Sequence, residues 1–136
     1  MRQILSGVLA ISMGWVPVTV PLMAQQSWAQ TQDLQAEWEA LLDQADQQTE
    51  RWQYEQAIET LQQALDLARK LKNRQQEALT LYQIGNNFNQ LDQHQQALDY
   101  YNQALQIRRE VDDRKGEATT LHSIGWIYNA MENREK

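Results

Sequence analysis

EALTLYQIGNNFNQLDQHQQALDYYNQALQIRREVDDRKG, residues 77–116, is the stretch from which the rest of the chain can be laid out. Shifted back by forty residues, Ala97, Gln103, Ala104, Leu105, Arg109 and Arg114 coincide with Ala57, Gln63, Ala64, Leu65, Arg69 and Arg74. Shifted forward, Glu77, Ala78, Thr80, Leu81, Ile84, Gly85 and Asn89 coincide with Glu117, Ala118, Thr120, Leu121, Ile124, Gly125 and Asn129, with no gap in either direction. Identity at a fixed period of this size marks stacked units, each of which buries its apolar face against the next. The copies fall at about 37–76, 77–116 and 117–136, the last incomplete.

Inside each copy the apolar residues recur three and four apart, which is a helical stripe. Ala57, Ile58, Leu61, Ala64, Leu65 and Ala68 place one helix over Tyr54 to about Leu71, and its alanines allow close approach of a neighbour. Asn73 with Gln76 has the form of an N-cap and its reciprocal glutamine, opening a helix that runs to about Leu91. A turn at Asp92 leads to a helix from about Gln93 to Val111, and Asp113 opens the last helix. Upstream, Asp33 is expected to cap a helix carrying Leu34, Trp38, Leu41, Leu42 and Ala45. That helix reads as a degenerate copy, with Gln44, Ala45 and Gln48 in the places of Ile84, Gly85 and Phe88, as befits a terminal repeat with one face toward water. Trp52 is expected to fold over the end of the stack. Gly85 and Gly125 lie inside helices, where glycine costs about 1 kcal/mol relative to alanine, so a backbone approach too close for a side chain is expected at both.

The spacing Leu81-x2-Ile84-Gly85-x2-Phe88, followed by Ala97-x3-Tyr101 and Ala104, resembles the tetratricopeptide repeat, with Leu81 where the family often has Trp. It returns as Leu121-x2-Ile124-Gly125-x2-Tyr128, and the resemblance covers roughly Asp33 to the end. It implies an all-α fold, a right-handed superhelical solenoid of antiparallel helix pairs in about two and a half repeats, and a role in binding protein or peptide without enzymatic activity. Arg69 and Arg109 stand where the shorter form of the family commonly has proline. Without proline the second helix can run on by about a turn and a half, which accounts for the longer period. The junction Asp113-Arg114-Lys115-Gly116-Glu117-Ala118 is similar to that of the kinesin-light-chain-like subgroup. In bacteria, and cyanobacteria especially, such arrays often precede a CHAT-type caspase-like peptidase domain, so the resemblance leaves open a regulatory role in front of such a domain.

Residues 1–29 differ in character from all that follows. Arg2 is the one charged side chain before Asp33, and an apolar run from Ile4 through Ala24 is interrupted by Gly7, Gly14, Pro17 and Pro21. Ser27-Trp28-Ala29 then supplies small residues at the two positions a signal peptidase needs, so 1–29 reads as a signal peptide cleaved after Ala29, leaving 30–136 as the repeat domain. The alternative is an uncleaved membrane anchor, since the run is nearly long enough to span a bilayer. Either reading puts the repeats outside the cytoplasm, in a secreted or periplasmic bacterial protein.

The chain has no cysteine and a formal net charge of −6, which excludes a disulfide framework, a thiolate metal site and a cysteine nucleophile. An acidic chain without a basic run lacks the footprint of a nucleic-acid binder. No phosphate loop, metal-ligand spacing or nucleophile context is present, so no catalytic residue, cofactor or metal is expected. His94 is placed in a turn, solvated, and Glu37, Glu39, Asp43 and Asp46 form a solvated helix face.

Surface recognition remains. The family's concave groove is lined by the first helix of each pair, which places Leu79, Tyr82, Asn86, Asn89 and Gln90 on it, with Thr119, His122, Trp126 and Asn129 from the next copy. The degenerate helix contributes Glu39, Leu42, Asp46 and Glu50. Tyr82, Asn86, Asn89, His122, Trp126 and Asn129 are the candidate partner-binding residues: asparagine offers a donor and an acceptor to an extended backbone, and the rings offer rigid apolar contact. The carboxylate-clamping version of this groove uses lysine where Tyr82 and His122 stand, which argues against an acidic C-terminus as ligand. The sequence stops in mid-pattern with Leu121, Ile124, Trp126, Ile127 and Tyr128 apolar on more than one side of the last helix. Truncation is favoured over a terminal cap, and self-association through that helix is expected.

Overall fold

A computed structural model describes residues 21–135, and every regular element among them is an α-helix. The five are α1 (Leu22–Glu50), α2 (Tyr54–Lys70), α3 (Arg74–Gln90), α4 (His94–Glu110) and α5 (Arg114–Arg134). None of the described helices is long and apolar enough to cross a membrane. Residues up to Asp33 form a unit of their own; its described part is helical from Leu22, with Thr31 Oγ1 donating to the Ser27 carbonyl at 3.0 Å. Most of the apolar run expected to be a signal peptide lies outside the described residues, and Ala29, its expected cleavage site, lies within α1. Asp33 is also inside α1 and caps nothing, because residues 22–32 contain no glycine or proline to stop the helix upstream of it.

The repeats occupy the second unit, from Leu34 onward. Helices α2, α3 and α4 are 17 residues each, joined by three-residue turns, so the structure repeats every twenty residues where the sequence repeats every forty. One device makes all four turns. Trp52, Lys72, Asp92 and Asp112 stand twenty residues apart with φ of 64°, 53°, 58° and 57°. The residue after each returns its N–H to a carbonyl five back: Gln53 to Gln48, Asn73 to Ala68, Gln93 to Phe88 and Asp113 to Arg108, at 2.8–3.1 Å. This is the Schellman closure, which satisfies the last helix carbonyls and normally takes glycine at the left-handed position. Here all four are non-glycine. Trp52 is thus held at a chain reversal outside the buried stripes of α1 and α2. It is 78 % exposed, its ring edge-on to Tyr54, and does not fold over the stack.

Two caps open helices as expected: Asn73 Oδ1 accepts the Gln76 N–H at 3.1 Å and Asp113 Oδ1 accepts that of Gly116 at 2.9 Å. The reciprocal half of the Asn73 cap is not made, because Gln76 Nε2 reaches across to Gln35 Oε1 on α1 at 2.7 Å. The repeated charges fasten each second helix to the following first helix. Glu77 takes Arg69 Nε at 3.2 Å and Arg74 Nη1 at 2.9 Å, and one period on Glu117 takes Arg109 Nε at 2.7 Å and Arg114 Nη1 at 3.9 Å. This gives the arginines at the proline positions a structural task.

The largest core cluster joins four helices: Ala45 of α1; Ile58, Leu61 and Leu65 of α2; Ala78, Leu81 and Ile84 of α3; Ala104 and Ile107 of α4. Trp38 packs on Ala64, Leu67 and Ala68, and Ile127 of α5 on Ala97, Leu98 and Tyr101. A threonine in each copy ties neighbouring helices. Thr80 Oγ1 accepts from Trp38 Nε1 at 3.2 Å and Thr120 Oγ1 from Arg108 Nη1 at 2.6 Å, while each hydroxyl donates to the carbonyl four residues back. Burial lowers the Arg108 pKa, countered by Asp113, and its guanidinium lies 4.7 Å from the Tyr82 ring centroid.

The motif residues of α3 and α4 are placed as expected: Leu81, Ile84, Ala97, Tyr101 and Ala104 are buried, and Phe88 stacks on Tyr100 with centroids 5.4 Å apart. A Cβ on Gly85 would come within 2.7 Å of the Tyr101 ring and 3.3 Å of the Ala97 carbonyl oxygen, so the close approach is there but a side chain, ahead of the expected backbone, makes it. In α5 the same positions differ. A Cβ on Gly125 would meet nothing within 4 Å, Leu121 and Tyr128 are exposed, and Ile124 is half-buried. The expectation for Gly125 is therefore corrected: among the described residues no helix lies against it as α4 lies against Gly85.

Candidate functional site

Helices α1, α3 and α5 lie side by side and are tied by polar side chains. From α1 to α3, Gln83 Nε2 donates to Asp46 Oδ1 at 3.2 Å, and Thr49 Oγ1 lies 2.9 Å from Asn87 Oδ1. From α3 to α5, the Tyr82 hydroxyl is 3.1 Å from Ser123 Oγ. Burial, then Asp43 and Glu50 nearby, raise the Asp46 pKa.

Between α3 and α5 is a pocket of about 130 Å³ lined by Asn86, Asn89, Tyr101, His122, Ser123 and Trp126. Four of the six candidate residues therefore come together. Tyr82 lies beneath them, its ring 5.4 Å from Tyr101 and under the Arg108 guanidinium, so its bulk is used between helices. Asn129 is exposed, accepts from Asn133 Nδ2 at 3.3 Å, and does not line the pocket. Of the remaining groove positions, Leu42 is packed against the core, while Glu39, Glu50, Leu79, Gln90 and Thr119 are exposed.

The pocket floor is built by α4. Tyr101 is 1 % exposed and its hydroxyl donates to Asn86 Oδ1 at 2.6 Å. Burial, with Tyr82 beside it, pushes its pKa well above that of a free tyrosine, so the phenol stays protonated and remains a donor. His94 is the first residue of α4 and buried, not solvated in a turn; Nδ1 is 3.2 Å from Asn89 Oδ1. At the rim, Trp126 is 56 % exposed.

Three of these features escaped the sequence reading. Tyr101 was assigned to packing alone, yet its hydroxyl faces the pocket. Ser123 carries no signal beyond lying one helical turn before Trp126. His94 had one: forty residues earlier the first residue of the second helix is Tyr54, another ring at the same station. Among the described residues no group of three or more acidic or histidine side chains is placed to hold a metal.

A family model described as the tetratricopeptide repeat matches residues 39–110 and, in a second overlapping register, 76–136. No curated protein matches the chain.

Proposed function

This chain belongs to the tetratricopeptide repeat family, whose members generally mediate protein–protein interaction, and we propose that it binds an extended peptide segment of a partner in the pocket between α3 and α5. The observation that carries this reading is the exposed Trp126 ring lining, with two asparagine side chains, a recess of about 130 Å³. An aromatic anchor beside main-chain-binding amides suits a peptide better than a small charged ligand. Selection of a random peptide library on the wild-type chain tests it: enriched peptides should lose at least about tenfold in affinity on Trp126→Ala, the scale of an interface hot spot. Failure to enrich, or binding that ignores Trp126, would sink the groove reading.

The proposal includes export. Its support is the basic start, apolar run and Ser27-Trp28-Ala29 site, and a mature chain starting at Gln30 by intact mass is the expected result; an uncleaved chain would make it membrane-anchored. A second reading puts the repeats in front of a caspase-like peptidase domain. The bare α5 face, in register with the α3 face that α4 covers, has room for a further helix of the repeat, while the peptidase domain itself rests on the sequence resemblance alone. The DNA in frame beyond Lys136 decides between an extended array and self-association through α5.

A further inference from the structure

We infer that Tyr101 and His94 are positioning residues that hold the oxygens of Asn86 and Asn89, so that these two asparagines present their N–H groups to the carbonyl oxygens of the ligand. This deepens the peptide-binding reading and rests on it.

An asparagine side chain ordinarily offers one acceptor and two donor hydrogens. At this site both acceptors face groups of α4: Asn86 Oδ1 takes the Tyr101 hydroxyl at 2.6 Å, and Asn89 Oδ1 lies 3.2 Å from His94 Nδ1. Each contact fixes its amide plane and turns the NH2 away from the oxygen that is held. The alternative for Asn89, an amide N–H given to His94 Nδ1, would place the imidazole proton on Nε2. That atom is buried without a hydrogen-bond partner, and Asp92 Oδ1 is 3.8 Å away. With Asn89 Oδ1 as the facing atom, the contact is a hydrogen bond only if Nδ1 carries a proton, so the ring donates to Asn89. Ser123 Oγ donates to the Thr119 carbonyl at 3.3 Å, and its remaining capacity faces the Tyr82 and Tyr101 hydroxyls. The two amides therefore keep their NH2 groups to donate, and beside them stand the Trp126 indole N–H, a donor only, and the His122 imidazole, which also carries an acceptor nitrogen.

A buried nitrogen without a partner lowers stability, and an apolar side chain of similar size would remove that penalty. Its presence is accounted for if the ring is needed to hold Asn89.

The test uses the full chain and a fluorescent peptide taken from the library selection, with binding read by anisotropy and stability by thermal melting. Tyr101→Phe and His94→Leu should each weaken binding roughly three- to tenfold, the range of one net hydrogen bond. The melting temperature of His94→Leu should be unchanged or raised, a combination that a purely structural histidine would not give. Long-range nitrogen correlation spectra should show the His94 proton on Nδ1. If both variants bind as the wild type does while Trp126→Ala abolishes binding, this inference falls and the peptide-binding reading stands. If binding is indifferent to Trp126 as well, both fall. Should His94→Leu melt lower, Tyr101→Phe decides, since its ring and packing are kept; a proton on Nε2 overturns the His94 assignment outright.

Discussion

Gly85 and Gly125 are the same residue in two copies and have opposite surroundings, which makes them a paired measurement. Gly85→Ala puts a methyl 2.7 Å from Tyr101 ring carbons in a sealed contact, and overpacking of that kind costs about 1–3 kcal/mol, more than the helix propensity returns. Gly125→Ala meets no atom within 4 Å, so the propensity gain of about 1 kcal/mol should appear undiminished. Urea melts of the two variants should move in opposite directions; shifts of the same sign would refute the asymmetry. The sequence made both glycines conspicuous but could not separate them, because what differs is the presence of α4 against one and not the other. His94 was misplaced for a similar reason: turn signals locate a helix start to within a residue or two, and here one residue divides solvent from core. The placing of Asn86 and Asn89 on α3 and of His122 and Trp126 at matching positions of α5 was legible because register alone sets it. The fixing of Asn86 and Asn89 by α4 was not, since it depends on contacts from another helix.

At the scale of the element, the four turns share a conformation that L-residues adopt at a cost. Lys72, with φ of 53°, should be improved by glycine, by up to about 1 kcal/mol, and harmed by valine, whose branched side chain resists that region. Equilibrium unfolding of Lys72→Gly and Lys72→Val checks this, and a glycine variant no more stable than wild type would mean that local contacts already compensate. Each helix was legible to within a few residues, because capping residues and apolar spacing agree with the fold. The exception is the start of α1, where Asp33 carried a capping signal that the helical residues upstream overrode.

At the scale of the molecule, the bare α5 face predicts concentration-dependent association. Sedimentation of the wild-type chain should show dimers or larger species at high concentration, and Tyr128→Lys, a charge on an exposed apolar position, should restore the monomer. A monomer at all concentrations would remove self-association from the account. The solenoid class was legible from the period, whereas the extent of the array was not, because each repeat constrains only its neighbours.

Helix α3 has a consequence for how the molecule opens. Side chains from α1, α2, α4 and α5 all touch it, while α5 shares its core contacts chiefly with α4 and the adjoining part of α3. Opening of such a stack proceeds from its less supported end. Amide protons of the outer helices, α5 among them, should therefore exchange with solvent before those of α3. A protease acting in that interval would take Trp126 and His122 before it reached the inner helices, so the proposed peptide recognition would be lost well before the fold.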